Sequence, residues 1–212
     1  MKTRAQISAI IEELKKLYPD TLCSLEYQKD YELLFSVRLA AQCTDARVNL
    51  VTPALFARFP TLEALAAATP DEVGEYVRSC GFWRAKAKDI VGSAQMLLHD
   101  FGGKVPDNMD DLLRLPGVGR KTANLVLGDI YGKEGYVCDT HCIRITGRLG
   151  ITDGSKDPLK VEQQLRKVIP SEESNNFCHR MVLHGRALCM ARGPKCEECP
   201  LKALCDYGAS RQ

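Results

Sequence analysis

Apolar residues recur at helical spacing along most of the 212-residue chain. In the first segment, Ile7, Ile10, Ile11, Leu14 and Leu17 would share one face of an α-helix. The same periodicity predicts further helices near residues 31–39, 51–56, 84–101, 110–115, 118–131, 140–149, 159–168 and 175–189. The sequence contains no convincing alternation of period two, which is typical of half-buried strands. The pattern therefore predicts an all-α fold.

Residues that break helices separate these segments, and short polar side chains accompany several of the breaks. The breaks fall at residues 18–20, 59–61, 69–71, 102–103 and 105–107. The side chains of Thr61, Asp71 and Asp107 can accept hydrogen bonds from the first free amides of a helix. We therefore predict that these three residues are helix N-caps.

Composition narrows the class of protein. The chain is 45% hydrophobic and 26% charged, and it contains ten Cys. These values exclude disordered, collagen-like and mucin-like chains, and they suit one or two compact lobes. No run approaches the roughly 18 apolar residues of a membrane span, and the N-terminal segment lacks the apolar centre of a signal peptide. We therefore expect a cytoplasmic protein with no membrane partner, in which the cysteines are reduced.

The net charge of +2 is unevenly distributed. Residues 133–212 contain 13 Lys and Arg against 10 Asp and Glu, a sum of +3, so the first 132 residues sum to −1. Residues 178–195 contain no acid and four basic residues, Arg180, Arg186, Arg192 and Lys195. The balanced total argues against unspecific polyanion binding but leaves room for a local basic surface.

Four cysteines are clustered near the C-terminus: Cys189, Cys196, Cys199 and Cys205. The close pair in this cluster can grip one centre, and the flanking cysteines can complete a shell of four thiolates. Zinc and a cubane iron–sulfur cluster both accept four thiolates, so the spacing leaves the metal open. The other cysteines lack ligand-like spacing, and we expect them to be small buried apolar residues: Cys23, Cys43, Cys80, Cys138, Cys142 and Cys178.

The segment LPGVGRKTANLVL at residues 115–127 has the pattern of a helix-hairpin-helix. Gly117 and Gly119 permit positive φ and lack Cβ atoms, so the backbone can approach another molecule closely. Amides at the start of the next helix, near residues 118–119, would offer a seat for a phosphate, and Arg120 follows directly. An ordinary tight turn is the alternative. The pattern favours a contact with the DNA backbone that does not depend on base sequence.

Lys121 and Asp139 are candidate catalytic residues. Lys121 is expected beside an apolar helical stripe formed by Val118, Thr122, Leu125, Val126 and Ile130. Partial desolvation and the positive end of the helix dipole would both disfavour its ammonium form, and a neutral amine is a candidate nucleophile. From spacing alone, a solvated lysine that assists phosphate binding is the simpler interpretation. Asp139 precedes a helix as an expected N-cap, and its carboxylate could also accept a proton or stabilise a developing sugar cation.

These segments, in this order, resemble the endonuclease III family, the bifunctional glycosylase/AP lyase branch of the helix-hairpin-helix DNA glycosylases. The resemblance spans essentially the whole chain and rests on AQCTD at 41–45, GFWRAKA at 81–87, LPGVGRKTAN at 115–124, DTHCIR at 139–144, HGRALC at 184–189 and the four cysteines. It implies two helical lobes with DNA held between them. One is a six-helix barrel over residues 23–133. The other combines residues 1–22 with 134–212 and carries a [4Fe-4S] cluster.

The resemblance also implies roles for individual residues. Lys121 corresponds to the family's nucleophile and Asp139 to its essential carboxylate, and the four clustered cysteines correspond to the cluster ligands, which favours iron over zinc. Gln42 corresponds to the residue that fills the gap left by an extruded base, and Phe82 to an apolar wedge that is often Leu in relatives. The remaining expected DNA contacts are Gly117, Gly119, Arg120, His141, Arg192 and Lys195. Gly193 stands where a further positive charge is expected.

The implied activity is base excision repair of double-stranded DNA that contains a damaged base or an abasic site. The enzyme would remove oxidised pyrimidines through a Schiff base on lysine and cleave the strand by β-elimination, acting as a monomer associated with the nucleoid.

Several alternatives remain at this level. The adenine-mismatch branch shares the cysteine pattern, but it typically lacks the hairpin lysine and has a further C-terminal domain. Relatives that act on thymine mismatches or pyrimidine dimers differ in pocket residues that the sequence does not reveal. A non-catalytic DNA-binding module is an alternative from another class, and Lys121 together with Asp139 argues against it. A structural iron–sulfur or zinc protein would leave the hairpin unexplained.

Overall fold

The structure, a computed structural model, describes residues 2–21 and 23–210, and every regular element within those ranges is helical. The all-α prediction is confirmed. The α-helices are α1 (Arg4–Leu17), α2 (Asp30–Ala40), α3 (Asp45–Arg58), α4 (Leu62–Ala67), α5 (Pro70–Val77), α6 (Trp83–Phe101), α7 (Met109–Arg114), α8 (Arg120–Asp129), α9 (Thr140–Leu149), α10 (Pro158–Val168), α11 (Ser174–Ala187) and α12 (Asp206–Ala209). None of the helices in the described ranges has the length and apolar character needed to span a membrane.

The chain divides into two compact units. Cys23–Tyr131 forms one, here called the hairpin unit, and Met1–Leu22 with Gly132–Gln212 forms the other, called the cysteine unit. The hairpin unit thus ends at Tyr131, two residues before the end given for the six-helix barrel in the sequence analysis, residue 133.

The hairpin unit contains α2 to α8 around one apolar core. Its longest helix, α6, has 19 residues and packs against α2, α4 and α5. Residues at helical spacing on α6 point into this core, namely Ala87, Ile90, Ala94 and Leu97. Burial of this apolar face stabilises α6 more than its intrinsic helix propensity does.

One predicted N-cap in the hairpin unit is confirmed and one is wrong. The Thr61 side chain accepts a hydrogen bond from an amide in the first turn of α4. In α5 the N-cap is Thr69, whose amide in turn donates to the Glu72 carboxylate at 2.7 Å. Pro70 takes the first helical position, which its fixed φ and missing N–H favour. Asp71 therefore lies inside the first turn.

Asp107 is also not an N-cap, because the next residue takes that position. The Asn108 side chain accepts a hydrogen bond from the Asp111 amide at 3.0 Å, so α7 begins one residue later than an Asp107 cap would place it. α8 likewise begins later than predicted, because Gly119 has an extended backbone with φ −99° and acts as the N-cap. The predicted helix over 118–131 is therefore shortened at both ends.

The cysteine unit contains α1 and α9 to α12. α11 packs against both α1 and α9, and α12 packs against α9. None of the ten cysteines is paired in a disulfide in the structure. Among the six cysteines expected to be buried, Cys23 and Cys43 are only half-buried, whereas Cys80, Cys138, Cys142 and Cys178 are buried.

Candidate active site and metal centre

Residues of α2 and α6 hold the glycine turn between α7 and α8. Ser93 on α6 donates a hydrogen bond to the Pro116 carbonyl at 3.0 Å. Gly117 has φ +71°, and a Cβ there would overlap the Arg38 guanidinium and lie 2.5 Å from Oδ2 of Asp89. Arg38 and Asp89 form an ion pair at 2.7 Å. Both the backbone conformation and the packing therefore require glycine at position 117.

Gly119 meets neither requirement. Its φ is in the extended region, and a Cβ added there would meet no heavy atom of the described chain within 4 Å. Gly119 itself has no side chain with which to cap the amides that follow it in α8. Amides in the first turn of a helix and the positive end of the helix dipole attract anions. The space beside Gly119 is therefore suited to a phosphate.

Lys121 is the second residue of α8 and its side chain is exposed. The expected partial desolvation of Lys121 is wrong, because the buried face of α8 differs from the predicted stripe. That face is formed by Ala123, Asn124, Val126, Leu127 and Gly128. Since α8 starts at Arg120, Val118 is not part of the helix on which the stripe was drawn. The predicted position of Lys121 near a helix N-terminus is correct.

Gln42 and Phe82 have left-handed backbones. Their φ angles are 55° and 47°, and they are the non-glycine residues with positive φ in residues 2–21 and 23–210. Such conformations cost roughly 1–3 kcal/mol each and persist only where the surrounding structure imposes them. Both residues are exposed, and Phe82 has 71% of its surface accessible. Two side chains in the hairpin unit are thus presented to the outside by strained backbone.

Asp139 is the N-cap of α9, as predicted. Its Oδ1 accepts a hydrogen bond from the Cys142 amide at 2.8 Å, and the residue is half-buried. The cap fixes the carboxylate at the start of the helix.

The same helix holds the segment that begins at Cys189. Arg144 donates to the Cys189 carbonyl at 2.9 Å, and Arg148 donates to the Met190 carbonyl at 2.8 Å and the Ala191 carbonyl at 3.1 Å. Hydrogen bonds from a charged donor are stronger than those between neutral groups. α9 therefore connects the Asp139 carboxylate at its start to the loop at residues 189–191.

His141 is half-buried beside this connection. Its Nδ1 lies 3.1 Å from Nη2 of Arg144, and a Cβ at Gly185 would overlap the imidazole ring. Gly185 on α11 therefore leaves the space that His141 occupies. A contact of His141 with DNA stays a prediction.

The four clustered cysteines line one cavity of the cysteine unit. Apolar side chains complete its wall, among them Ile145, Leu149, Leu188 and Leu201. Burial raises the pKa of the Cys199 and Cys205 thiols, and the charges of the neighbouring cysteines raise it further. A bound group of positive charge would offset this repulsion, so the donor set fits iron. No three His, Cys, Asp or Glu side chains of the described residues converge closely enough for a single metal ion.

Hydrogen bonds reach three of these sulfur atoms. Arg148 donates to Sγ of Cys189 and the Gly208 amide donates to Sγ of Cys205, each at 3.3 Å. Nε2 of His184 lies 3.6 Å from Sγ of Cys199, and burial lowers the pKa of His184 to about 4. The bonds donated by Arg148 and the Gly208 amide stabilise thiolates.

The basic residues of the loop are exposed. Arg192 and Lys195 lie on either side of Gly193, which has φ +60°. Nζ of Lys195 is 4.0 Å from a carboxylate oxygen of Glu198, a distance at which an exposed pair contributes little. The loop thus presents positive charge next to the four-cysteine cavity.

The sequence-based predictions did not include Lys86 or the Arg38–Asp89 pair. A signal for Lys86 exists, because it precedes Ile90 by four residues and therefore lies on the apolar face of α6. The pairing of Arg38 with Asp89 has no such signal, because the two residues are 51 positions apart in the sequence.

Two family models match the chain. The model for HhH-GPD superfamily base excision DNA repair proteins matches residues 35–171, and that for the iron–sulfur binding domain of endonuclease III matches residues 189–205. Endonuclease III of Synechocystis sp. is 47% identical over 203 residues, which is 95% of this chain and 92% of that protein. Endonuclease III of Bacillus subtilis is 39% identical over 206 residues, or 97% and 94% of the two chains.

The chain is also similar to solved structures of endonuclease III. A trapped covalent intermediate of endonuclease III with DNA, in an estranged-adenine complex, has a TM-score of 0.93 and 42% identity, and covers 100% of this chain and 99% of that chain. A non-covalent endonuclease III–DNA complex has the same TM-score, identity and coverage. A thermostable thymine-DNA glycosylase, 21% identical with a TM-score of 0.84, shares the fold.

Proposed function

Since the chain belongs to the endonuclease III family of HhH-GPD base excision DNA repair proteins, we propose that Lys121 and Asp139 carry its chemistry. The protein is a DNA glycosylase with AP lyase activity, its substrate is DNA, and it holds a [4Fe-4S] cluster. One observation carries the assignment of Lys121: the side chain is exposed in the first turn of α8, beside the open space at Gly119.

The hairpin binds one phosphate of the damaged strand. The amides that open α8 donate to its oxygens, and Arg120 adds positive charge next to them. Gly117 keeps the turn in place, and Gly119 lets the phosphate approach the backbone. These contacts position the DNA without reading its sequence.

Gln42 and Phe82 act on the base stack. The damaged nucleotide leaves the helix, which costs least where the lesion has weakened stacking and pairing. Gln42 fills the vacated space, and the exposed ring of Phe82 wedges against the opposite strand. The strained backbone at both residues supports a role in which side chains must project away from the protein surface.

Lys121 then attacks C1′ of the extruded nucleotide. The amine forms a C–N bond as the bond to the base breaks, and the base leaves with that electron pair and takes up a proton. The bound amine loses one proton, and opening of the sugar ring, in which the ring oxygen takes up a proton, gives a protonated Schiff base, the iminium. The iminium acidifies the C2′ proton, and its removal expels the 3′ oxygen as phosphate, which breaks the strand.

Asp139 provides negative charge for these steps. Its carboxylate stabilises the positive charge that develops on the sugar and accepts a proton as the amine bond forms. The cap at the Cys142 amide uses one carboxylate oxygen and fixes the orientation of the group.

Cys189, Cys196, Cys199 and Cys205 hold the cluster. When bound, it supplies metal–thiolate bonds that cross-link residues 189–205. Arg148 and the Gly208 amide donate to the sulfur atoms of Cys189 and Cys205 and stabilise their charge, and His184 lies next to Cys199. The cross-linked loop presents Arg192 and Lys195 to DNA phosphates, and His141 supports the loop through Arg144 while contributing to DNA binding.

The preferred substrates are oxidised pyrimidines and abasic sites in double-stranded DNA. We propose that the protein acts on them as a monomer. Its DNA substrate supports a location at the nucleoid in the cytoplasm.

Borohydride trapping tests the assignment of Lys121. Borohydride reduces a Schiff base to a stable amine, so the wild type will become covalently attached to duplex DNA that contains oxidised thymine or an abasic site. Lys121→Gln will form no covalent product, although it will still bind the same DNA in a gel-shift experiment.

Lys88→Gln is the matched control. Lys88 is an exposed lysine of the same unit, so this variant loses the same charge without losing the proposed nucleophile. It will trap as the wild type does. Undiminished trapping by Lys121→Gln would place the nucleophile at another amine.

A further inference from the structure

A buried lysine lies among apolar side chains of α6. Lys86 is 1% exposed and shares its helix face with Ile90, Ala94 and Leu97. Burial lowers the pKa of Lys86, and the nearby Arg38 acts in the same direction. A buried polar group of this kind is unfavourable unless its hydrogen bonds are made, so its contacts explain its presence.

The Lys86 ammonium joins two separate segments of the hairpin unit. Nζ donates to the Leu39 carbonyl at 2.8 Å and to the Cys80 carbonyl. Leu39 lies in the last turn of α2, three residues before Gln42. Cys80 lies two residues before Phe82, which is the N-cap of α6. One charged group therefore connects the segments that carry the two residues assigned to base extrusion.

In each segment, the residue that follows the bonded carbonyl by two or three positions has a left-handed backbone: Gln42 after Leu39, and Phe82 after Cys80. Gln42 and Phe82 have side chains that disfavour positive φ, so their backbones would relax if nothing held them. The amide of Lys86 also donates to the Phe82 carbonyl at 3.2 Å. Lys86 thus contacts the Phe82 segment through both its backbone and its side chain.

Other contacts between the two segments are weaker. Gly81 has no side chain, and even an added Cβ there would lie 3.9 Å from the Gln42 carbonyl oxygen, no nearer than van der Waals contact. Burial raises the pKa of the Cys80 thiol and the nearby Cys43 thiol raises it further, but a thiol is a weak donor and a weak acceptor. The charged bonds from Lys86 are the strong ones in this set.

We propose that Lys86 is a positioning residue for base extrusion, because it fixes Gln42 and Phe82 in the geometry that enters the base stack. The inference rests on the proposed function of those two residues. Lys86 touches neither the DNA nor the reacting atoms, and acts through the Leu39 and Cys80 carbonyls.

Replacement of Lys86 by Met tests this role, because Met has a similar length and no donor. Excision of a damaged base requires extrusion, whereas cleavage at a preformed abasic site starts after the base is gone. Lys86→Met will therefore lower the single-turnover rate of base excision at least tenfold more than it lowers the rate of abasic-site cleavage. Lys86→Arg, which keeps charged donors, will recover part of this difference.

The fluorescence of Trp83 reports on the conformation of the Cys80–Phe82 segment, and its interpretation requires no assumption about catalysis. It is the single tryptophan of the chain and directly follows Phe82, with its ring packed on Gly74 and beneath the Arg84 guanidinium at 4.3 Å. In DNA-free Lys86→Met, Trp83 emission will shift and acrylamide will quench it more strongly.

Leu97→Ala is the control for a general loss of stability. Leu97 is fully buried on the same face of α6, and its removal leaves the two carbonyls bonded. This variant will lower both rates in proportion and leave Trp83 emission unchanged below its melting temperature. If Lys86→Met behaves like Leu97→Ala, Lys86 is only structural and the inference is overturned. If Trp83 fluorescence changes in Lys86→Met but the ratio of the two rates does not, Lys86 holds the segment in place without affecting base extrusion. That result would also overturn the inference, because it would contradict the roles assigned to Gln42 and Phe82.

Discussion

Gly117 and Gly119 are two residues apart in the hairpin, yet glycine serves a different purpose at each position. At Gly117 the backbone has φ +71°, and the Arg38–Asp89 pair occupies the place of a side chain. At Gly119 the backbone is extended and the neighbouring space is open. The first glycine is required by the fold. The second leaves room for a ligand.

Alanine at Gly117 will destabilise the hairpin unit. Strain at positive φ and displacement of Arg38 and Asp89 together cost roughly 1–3 kcal/mol. Urea titration followed by Trp83 fluorescence will show this loss as a lower midpoint. An unchanged midpoint would mean that the ion pair moves aside without cost.

Alanine at Gly119 will leave the fold intact and weaken DNA binding. The free energy of unfolding should fall by no more than about 1 kcal/mol, because alanine is a poorer N-cap than glycine but nothing in the described chain contacts the new methyl group. Fluorescence anisotropy at fixed salt will show a lower affinity for abasic-site DNA. If affinity is retained, the phosphate does not approach the hairpin at this residue.

Asp139 caps α9 and also provides the negative charge proposed for catalysis, and substitutions can separate these two roles. Asparagine is as good an N-cap as aspartate, so Asp139→Asn will preserve α9 but remove the negative charge. We expect the abasic-site cleavage rate to fall by about 10²–10⁴-fold, the usual contribution of a general acid–base group. Asp139→Ala will lose in addition about 1 kcal/mol of stability. Equal activity of Asp139→Asn and wild type would leave Asp139 with a capping role alone.

At the scale of elements, helical periodicity located the main helices, whereas it placed their ends less well. Asp71 and Asp107 were wrong as caps because neighbouring residues, Thr69 and Asn108, compete for the same position. The sequence does indicate Thr69 as the N-cap, because Thr69 and Glu72 have the spacing of a capping box and Pro70 stands between them at the first helical position. The left-handed backbones of Gln42 and Phe82 have no comparable sign, since both residue types disfavour that conformation.

α9 is the element that links the carboxylate to the cysteine loop, so its arginines should control how firmly the loop is held. Arg148→Met removes bonds to Met190, Ala191 and the Cys189 sulfur. Iron release to a chelator will be at least about tenfold faster, which corresponds to one hydrogen bond of a charged group at roughly 1.5 kcal/mol.

Arg166→Met provides the comparison for this experiment. Arg166 belongs to the same unit and pairs with Glu134 and Glu162, away from the cysteines. It should release iron at the wild-type rate. Equally fast release from both variants would indicate general loosening of the unit rather than weaker bonding of the loop.

At the scale of the whole molecule, a net charge of +2 is small for a DNA-binding protein. Exposed Arg192 and Lys195 concentrate positive charge beside the four cysteines, and the hairpin contributes backbone amides, which do not enter the count of formal charge. Affinity for DNA therefore depends on where the charge lies more than on its sum.

Alanine at Arg192 or Lys195 will weaken binding to all duplexes alike. Removing the cationic partner of one phosphate should reduce the slope of log affinity against log salt by about 0.9. Lys160→Ala is a control of equal charge, because Lys160 is exposed in the same unit but paired with Asp153 at 2.7 Å. Weaker binding confined to lesion-containing DNA would contradict the assigned interaction with phosphate.

The ion pair beneath the hairpin also limits how this sequence can change over evolutionary time. No side chain fits at Gly117 while Arg38 and Asp89 remain together, so three positions, one each in α2, α6 and the turn before α8, depend on one another. A lineage that replaces Gly117 must first lose or rearrange the pair, and a lineage that keeps the pair cannot vary the glycine. Among homologous sequences, these three positions should therefore covary as a set.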